Sequence, residues 1–130
     1  MANPVMYLFA NKGLQMSSGK LAAQVAHAAV EAYKLSDKKD ILEWELGGHY
    51  LKIVLEARDE GHLRTIHQYL HDRGFIATRI IDEGMTEIEP HQITALGVPI
   101  VDKDDPHVVA TFSTFKLYRD IVRVQLEVDR

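Results

Sequence analysis

Cysteine is absent from the sequence, and no apolar run approaches the about 20 residues that a membrane-spanning helix requires. Without cysteine the chain forms neither disulfides nor a thiolate metal site or nucleophile. The N-terminal stretch MANPVMYLFANKG also lacks the basic region and the long apolar core of a signal peptide. We therefore expect a cytoplasmic protein with no membrane partner.

An excess of basic charge is also missing, since 15 Lys and Arg residues face 19 Asp and Glu residues and the net charge at pH 7 is −4. Domains that bind nucleic acids are more often basic, so such binding requires lysines and arginines to gather locally. Apolar residues make up 46% of the chain, which excludes a disordered or collagen-like protein. A chain of 130 residues is expected to form one domain, 1–130, with an ordinary core.

Apolar runs of strand length alternate with helical patterns along the chain. Strands are predicted over residues 4–9, 50–57, 75–81 and 94–101. Helices are predicted over residues 17–35, 40–46, 59–74 and 106–115. Pro99, inside the last of these strands, favours an edge position or an irregular end. The alternation predicts an α/β fold with at least one parallel pair of strands.

The C-terminal segment carries a different pattern. Residues 121–128, IVRVQLEV, alternate apolar and polar side chains with a period of two, which predicts an added strand. We assign residues 117–130 to a C-terminal extension of the domain. The predicted strand can pair with a sheet edge of its own chain or with another subunit.

The first predicted helix carries a lysine where helix electrostatics disfavours one. In SSGKLAAQVAHAA, residues 17–29, Lys20 lies in the first turn, and a cation there costs about 0.3 to 1 kcal/mol. Gln24, His27 and Glu31 follow at spacings of four, three and four residues, which predicts one shared face. This face is either a solvated stripe or a site where the lysine and free N–H groups hold a phosphate or an oxyanion.

A second polar segment, IIDEGMTEIEPHQIT at residues 80–94, follows the third predicted strand. Asp82 stands at the end of that strand, and Thr86 and Thr94 supply hydroxyl groups. Loops beyond the strand ends of α/β sheets commonly bind ligands, although Asp-Glu-Gly is also typical of a plain turn. Neither the glutamates of this segment nor His67 and His71, four residues apart on the third helix, show the spacing of a metal site, so no metal site is predicted.

Together these segments resemble the archaeal and eukaryotic type of peptidyl-tRNA hydrolase, the type 2 family. The resemblance rests on residues 14–34, 42–57 and 80–94, and it covers most of residues 4–115. Its most specific part is GKLAAQVAHAA. The resemblance implies a mixed four-stranded sheet flanked by helices. It also implies an enzyme that hydrolyses the ester between a peptide and the 3′-terminal ribose of tRNA, with no metal or organic cofactor, and it allows a homodimer.

The resemblance further implies which residues form the site. Catalytic roles fall on Lys20, Asp82 and Thr86, and substrate-binding roles fall on Gln24, His27 and Thr94. Asp82 can orient or deprotonate the attacking water. Lys20 can keep Asp82 ionised, bind a terminal phosphate or stabilise the tetrahedral oxyanion. Gln24 and the threonines can position the substrate by hydrogen bonding, while His27 is expected to support the site.

This chain departs from the family pattern near the implied site. The departures are Asn11, Gly13, Glu87, Glu89, His91 and the segment Val98-Pro99-Ile100. A missing arginine and added acids weaken the attraction to tRNA, because neutralised phosphates drive such binding. Two alternatives therefore stay open. One is a family member without turnover that binds RNA or protein, and the other is a hydrolase of a different aminoacyl or peptidyl ester.

Overall fold

A computed structural model of the chain describes residues 1–83 and 91–119. Within these residues a sheet of five strands is flanked by four helices. In chain order the elements are β1 (Pro4–Asn11), a 3-10 turn (Lys12–Leu14), α1 (Ser18–Leu35), α2 (Lys38–Leu46), β2 (Lys52–Ala57), α3 (Glu60–Asp72), β3 (Thr78–Asp82), β4 (Gln92–Gly97), β5 (Val101–Asp102) and α4 (Pro106–Phe112). The predicted α/β fold is confirmed.

The sheet is mixed and has the strand order β2-β1-β4-β3, with the short β5 paired to the start of β1. All eight residues of β1 are buried, because its nearly continuous apolar run suits a strand that is covered on both faces. Strands β1 and β2 are parallel, so Phe9 lies opposite Leu55. Strand β4 runs antiparallel to both β1 and β3. The implied four-stranded mixed sheet and the predicted parallel pair are therefore both confirmed.

This order brings the ends of three strands to one side of the sheet. Since β4 opposes both β1 and β3, strands β1, β2 and β3 all point the same way. Their last residues, Asn11, Ala57 and Asp82, lie along one edge, together with Gln92 at the start of β4. We call this the site edge. In open α/β sheets, this side is where ligands bind.

Helices cover the sheet on both faces. Helices α3 and α4 cover one face, where Leu63, Ile66 and Phe112 pack with Tyr7 and Phe9 of β1. Helices α1 and α2 cover the other face. Their buried residues Ala28, Ala32 and Trp44 pack with Met6 and Leu8 of β1. Alternate residues of β1 therefore serve the two halves of the core.

Helix α1 lies unusually close to the sheet because the residues at the contact are small. A Cβ added at Gly97 of β4 would overlap the carbonyl oxygen of Ala28 and lie 3.2 Å from Cβ of Ala32. The small residues Ala28, Ala32 and Gly97 therefore allow the close approach. This close packing places the first turns of α1 beside the strand ends at the site edge.

The strand predicted over residues 94–101 is wrong as a single element. Strand β4 ends at Gly97, and β5 begins only at Val101. Pro99 has no N–H to donate, and the N–H of Ile100 donates instead to Oγ of Ser36 at the end of α1, at 3.0 Å. Of the two expectations for Pro99, the irregular end is therefore confirmed, and the edge position is not, since β4 lies between β1 and β3.

Other element bounds shift by a few residues. Helix α2 begins at Lys38, two residues before the prediction, and α4 ends at Phe112, three residues before it. Strand β3 begins at Thr78 rather than residue 75 and includes Asp82. No helix in the described ranges is long and apolar enough to cross a membrane.

The segment after α4 covers the outer edge of β2. Leu117 forms an antiparallel bridge with Leu55, and the N–H of Glu56 donates to the carbonyl oxygen of Lys116 at 2.8 Å. The N–H of Tyr118 donates to the carbonyl oxygen of Val54 at 3.0 Å. These bonds satisfy groups that an edge strand otherwise leaves open. The strand predicted over residues 121–128 lies outside the described residues.

Candidate active site

A lysine–carboxylate pair lies at the site edge. Ser17 caps α1 by accepting a hydrogen bond from the N–H of Lys20 at 3.3 Å, which places Lys20 in the first turn. Its Nζ donates to Oδ1 of Asp82, the last residue of β3, at 2.7 Å. Both side chains are only 8% exposed. The lysine that helix electrostatics disfavours is thus stabilised by a largely buried carboxylate.

The next turn of α1 holds a second polar contact. Oγ1 of Thr94 in β4 donates to Oε1 of Gln24 at 2.5 Å and lies 3.3 Å from the carbonyl oxygen of Ile80. Thr94 is fully buried, so this hydroxyl connects α1, β4 and β3 inside the protein. Among the described residues, the amide nitrogen of Gln24 makes no hydrogen bond, so its two N–H groups can donate to a ligand.

The predicted face of α1 differs from the one that meets the sheet. Lys20, Gln24, Ala28 and Ala32 follow one another at intervals of four residues, and this row faces β3 and β4. His27 departs from the row because a step of three residues turns about 60° back from Gln24. Its side chain is 53% exposed, and its Nε2 lies 3.8 Å from Oε1 of Glu31.

The structure brings together four of the six site residues that the resemblance implies. Lys20 meets Asp82, Gln24 meets Thr94, and both contacts lie between the first turns of α1 and the sheet. His27 lies on the solvent side of α1. Thr86 falls outside the described residues, as do Glu87 and Glu89.

Asn11 and Gly13 have structural roles that sequence reasoning missed. Nδ2 of the buried Asn11 donates to the carbonyl oxygen of Ile93 at 2.9 Å, next to Thr94. Its Oδ1 accepts from the N–H of Gly13 at 3.0 Å. A Cβ at Gly13 would lie 2.5 Å from the carbonyl oxygen of Arg58, so the turn requires glycine. The sequence signal for these roles is the Asn-x-Gly turn, in which the asparagine side chain accepts from the backbone N–H two residues further along.

The loop between β3 and β4 begins and ends beside the pair. The carbonyl oxygen of Asp82 accepts from the N–H of His91 at 2.6 Å. The His91 ring is exposed, with Nδ1 3.7 Å from Oε2 of Glu83. His91, which departs from the family pattern, therefore places an ionisable side chain at the surface beside the Lys20–Asp82 pair, while the pair itself stays largely buried.

In the part of the chain that the structure describes, no three histidine or acidic side chains lie close enough together to hold a metal ion. His67 instead bonds the carbonyl oxygen of Ala77 through Nε2 at 3.0 Å. The site offers a cation, the N-terminus of a long helix, a carboxylate and an amide. A carboxylate can activate water, and a cation at a helix N-terminus can stabilise an oxyanion or phosphate.

These features define the class: an open α/β sheet with a polar site, containing a lysine–carboxylate pair, at the ends of its parallel strands. The sequence model of the family described as Peptidyl-tRNA hydrolase PTH2 matches residues 4–118. The chain therefore belongs to this family of hydrolases, and the family inferred from the sequence is confirmed.

Named relatives agree with this assignment. Peptidyl-tRNA hydrolase 2, mitochondrial, from Mus musculus is 38% identical over 96 residues, which cover 72% of this chain and 52% of the mouse protein. The chain thus spans about half the length of that relative. Peptidyl-tRNA hydrolase from Methanopyrus kandleri is 38% identical over 87 residues, covering 65% of this chain and 74% of the relative. The Halobacterium salinarum (strain R1) protein of that name is 34% identical over 107 residues, covering 82% and 95%.

One solved structure supports the fold alone. A protein of unknown function, Atu0240 from Agrobacterium tumefaciens strain C58, superposes with a TM-score of 0.54 at 13% sequence identity. The superposition covers 92% of this chain and all of the other. It is therefore a fold likeness and says nothing about activity.

Proposed function

We propose that this protein hydrolyses the ester bond between peptide and tRNA in peptidyl-tRNA and so recycles the tRNA. The observation that carries the proposal is the 2.7 Å contact between Lys20 and Asp82, largely buried at the site edge and one helical turn from the Gln24–Thr94 contact. Membership of the family supports the same activity.

In the proposed reaction, water adds to the ester carbonyl carbon and the 3′ oxygen of the tRNA ribose leaves. Asp82 orients the water and accepts its proton, since a positioned carboxylate can act as general base. Lys20 holds the carboxylate in place and offers positive charge to the tetrahedral oxyanion. As the carbon–oxygen bond breaks, Asp82 returns this proton to the 3′ oxygen, which leaves as the ribose hydroxyl, and the peptide is released with a C-terminal carboxyl group.

The remaining site residues have supporting roles in this proposal. Thr94 fixes the oxygen of the Gln24 amide, so that the amide nitrogen is presented to a substrate acceptor. Thr86 keeps its proposed catalytic role as a prediction, since it lies outside the described residues. For His27, a half-exposed side chain beside Glu31 favours support of the helix over contact with the reacting ester.

Release of free tRNA from a purified N-blocked peptidyl-tRNA tests the proposal. We compare wild type with Lys20→Ala and Asp82→Ala, and use Lys34→Ala as the matched control. Lys34 lies on the same helix, but its side chain is 65% exposed and its Nζ is 3.6 Å from Glu31. Loss of turnover in the two site variants alone supports the proposal. Folded wild type without turnover would favour a binding module or a hydrolase of another ester.

The domain, the assembly and the location stay predictions. We infer one hydrolase domain with residues 117–130 as its extension, a homodimer and a cytoplasmic location. Light scattering of the purified protein measures the assembly directly, and a monomer at micromolar concentration would contradict the homodimer. The alternating side chains at 121–128 predict a strand that can pair either within the chain or between subunits.

A further inference from the structure

Two adjoining grooves lie where β2 ends and the segment after α4 covers it. One groove, of about 400 Å³, is lined by Lys12, Glu56, Lys116, Leu117 and Arg119. The other, of about 240 Å³, shares Glu56 and Lys116 and adds Arg58, His62, Thr114 and Phe115. We call the combined surface, with its cations Lys12, Arg58, Lys116 and Arg119, the basic groove.

The charge of the basic groove is largely uncompensated. Lys12 is the cation with a partner, since its Nζ lies 3.0 Å from Oε1 of Glu56. Within residues 1–83 and 91–119, the side chains of Arg58, Lys116 and Arg119 form no ion pair. The lining therefore holds four cations and one carboxylate, on a chain whose net charge is −4. Here the lysines and arginines gather locally, as nucleic-acid binding requires of an acidic protein.

The basic groove shares the site edge with the lysine–carboxylate pair. Lys12 directly follows β1 and Arg58 directly follows β2, while Asp82 ends β3. In the order β2-β1-β4-β3 the ends of β2 and β3 are three strand spacings apart, or about 14 Å. This is less than half of the about 34 Å that one turn of a nucleic acid duplex spans. If the 3′ end of a nucleic acid lies at Asp82, the backbone that passes over the basic groove is therefore within one helical turn of that 3′ end.

We propose that the basic groove binds backbone phosphates in the acceptor end of the tRNA substrate. This inference rests on the proposed function, because the ester at Asp82 fixes which part of the RNA lies over the groove. Arg58 and Arg119 can each bond two phosphate oxygens, while Lys116 acts as a point charge. The position on the site edge favours part of the same substrate over a separate acidic protein. The positive charge of the basic groove thereby offsets the loss of attraction to tRNA expected from the added acids, Glu87 and Glu89.

The test uses the double variant Lys116→Gln/Arg119→Gln in the full chain. Its matched control is Lys38→Gln/Lys39→Gln, which removes two exposed charges at the start of α2, on the opposite side of the sheet. Peptidyl-tRNA and a short N-blocked aminoacyl ester of adenosine without phosphates are the two substrates. We expect KM for peptidyl-tRNA to rise about tenfold in the groove variant with kcat unchanged. The slope of log KM against log salt should shrink by about 1 to 2.

Several results decide the matter. The short ester should be hydrolysed equally by all three proteins, and an equal loss on both substrates would overturn the inference. An unchanged KM and salt slope in the groove variant, with wild type active, would also overturn the inference while leaving the proposed hydrolase function intact.

If wild type is inactive on every ester, the proposed function fails, and binding of deacylated tRNA then tests the groove separately. Weaker binding by the groove variant alone then supports the groove, and equal binding overturns it.

Discussion

Lys20 and Asp82 are separated by 62 residues of sequence, yet Nζ of the first lies 2.7 Å from Oδ1 of the second. This contact joins the first turn of α1 to the end of β3. Both side chains are largely buried, so each relies on the other to compensate its lost hydration. Removal of either partner is therefore expected to destabilise the fold as well as to impair the proposed chemistry.

A double-mutant cycle on this pair tests the structural role. Lys20→Ala and Asp82→Ala each remove one member of this largely buried charge pair, and we expect each to lower the free energy of unfolding by about 2 to 4 kcal/mol. The double variant should lose at least about 1 kcal/mol less than the sum, because the two residues interact directly. Urea unfolding measures all four proteins. Additive losses would show that the contact does not form in solution.

Asp82→Asn separates chemistry from stability. The amide keeps an oxygen that can accept from Nζ of Lys20, but it is a far weaker base than a carboxylate. We expect kcat for peptidyl-tRNA to fall by about 10² to 10⁴, the usual contribution of a general base, with the protein still folded. Single-turnover kinetics and circular dichroism measure the two effects. A kcat within threefold of wild type would remove Asp82 from the role of base.

Thr94→Val removes the hydroxyl that holds Gln24 and keeps the side-chain shape. We expect a loss of about 1 kcal/mol in unfolding free energy and a raised KM for peptidyl-tRNA, because the Gln24 amide is no longer oriented. Thr65→Val is the matched control. Its exposed hydroxyl donates to the carbonyl oxygen of Gly61 on the same helix. Equal KM values for the two variants would argue against a positioning role of Thr94.

Gly97→Ala tests the close packing of α1 on β4. The added methyl group overlaps the carbonyl oxygen of Ala28, so we expect a loss of about 1 to 3 kcal/mol from forced backbone movement. In Gly61→Ala the new Cβ lies 3.5 Å from the nearest atom, which is ordinary contact. That control should be neutral or slightly stabilising, since alanine favours helix. Thermal unfolding compares the two.

The stability of the protein should depend on the protonation of His62. Burial, and then the nearby Arg58, lower the pKa of His62 below its ordinary value of 6.5. Its Nδ1 accepts from the N–H of Arg58 at 2.9 Å, which requires a neutral ring.

The unfolded chain therefore binds a proton at higher pH than the folded chain, and stability from this group, complete above pH 6.5, falls as pH drops towards the folded pKa. We expect the stability of wild type relative to His62→Gln to decrease between pH 7.5 and pH 5. Urea midpoints across this range measure the difference, and a constant difference would contradict the assignment.

Local features of the fold could be predicted because each depends on neighbouring residues. The apolar run in β1 predicts a buried strand, and Ser17 or Ser18 predicts the start of α1, where the structure has Ser17 as the cap. By contrast, the end of β4 at Gly97 depends on where α1 ends, since Ser36 takes the hydrogen bond of Ile100. No pattern within residues 94–101 contains that information.

The sequence by itself determined the α/β class, the family, and the placement of Lys20 and Gln24 one turn apart on α1. Helical period and motif spacing suffice for these, because both are local. Only the tertiary structure decided that the row of residues at intervals of four meets the sheet, which leaves His27 at the surface. Strand order likewise decided that Asp82 meets Lys20, and that Arg58 and Lys12 lie along the same edge. Such contacts join residues distant in sequence, and their formation depends on how whole elements pack.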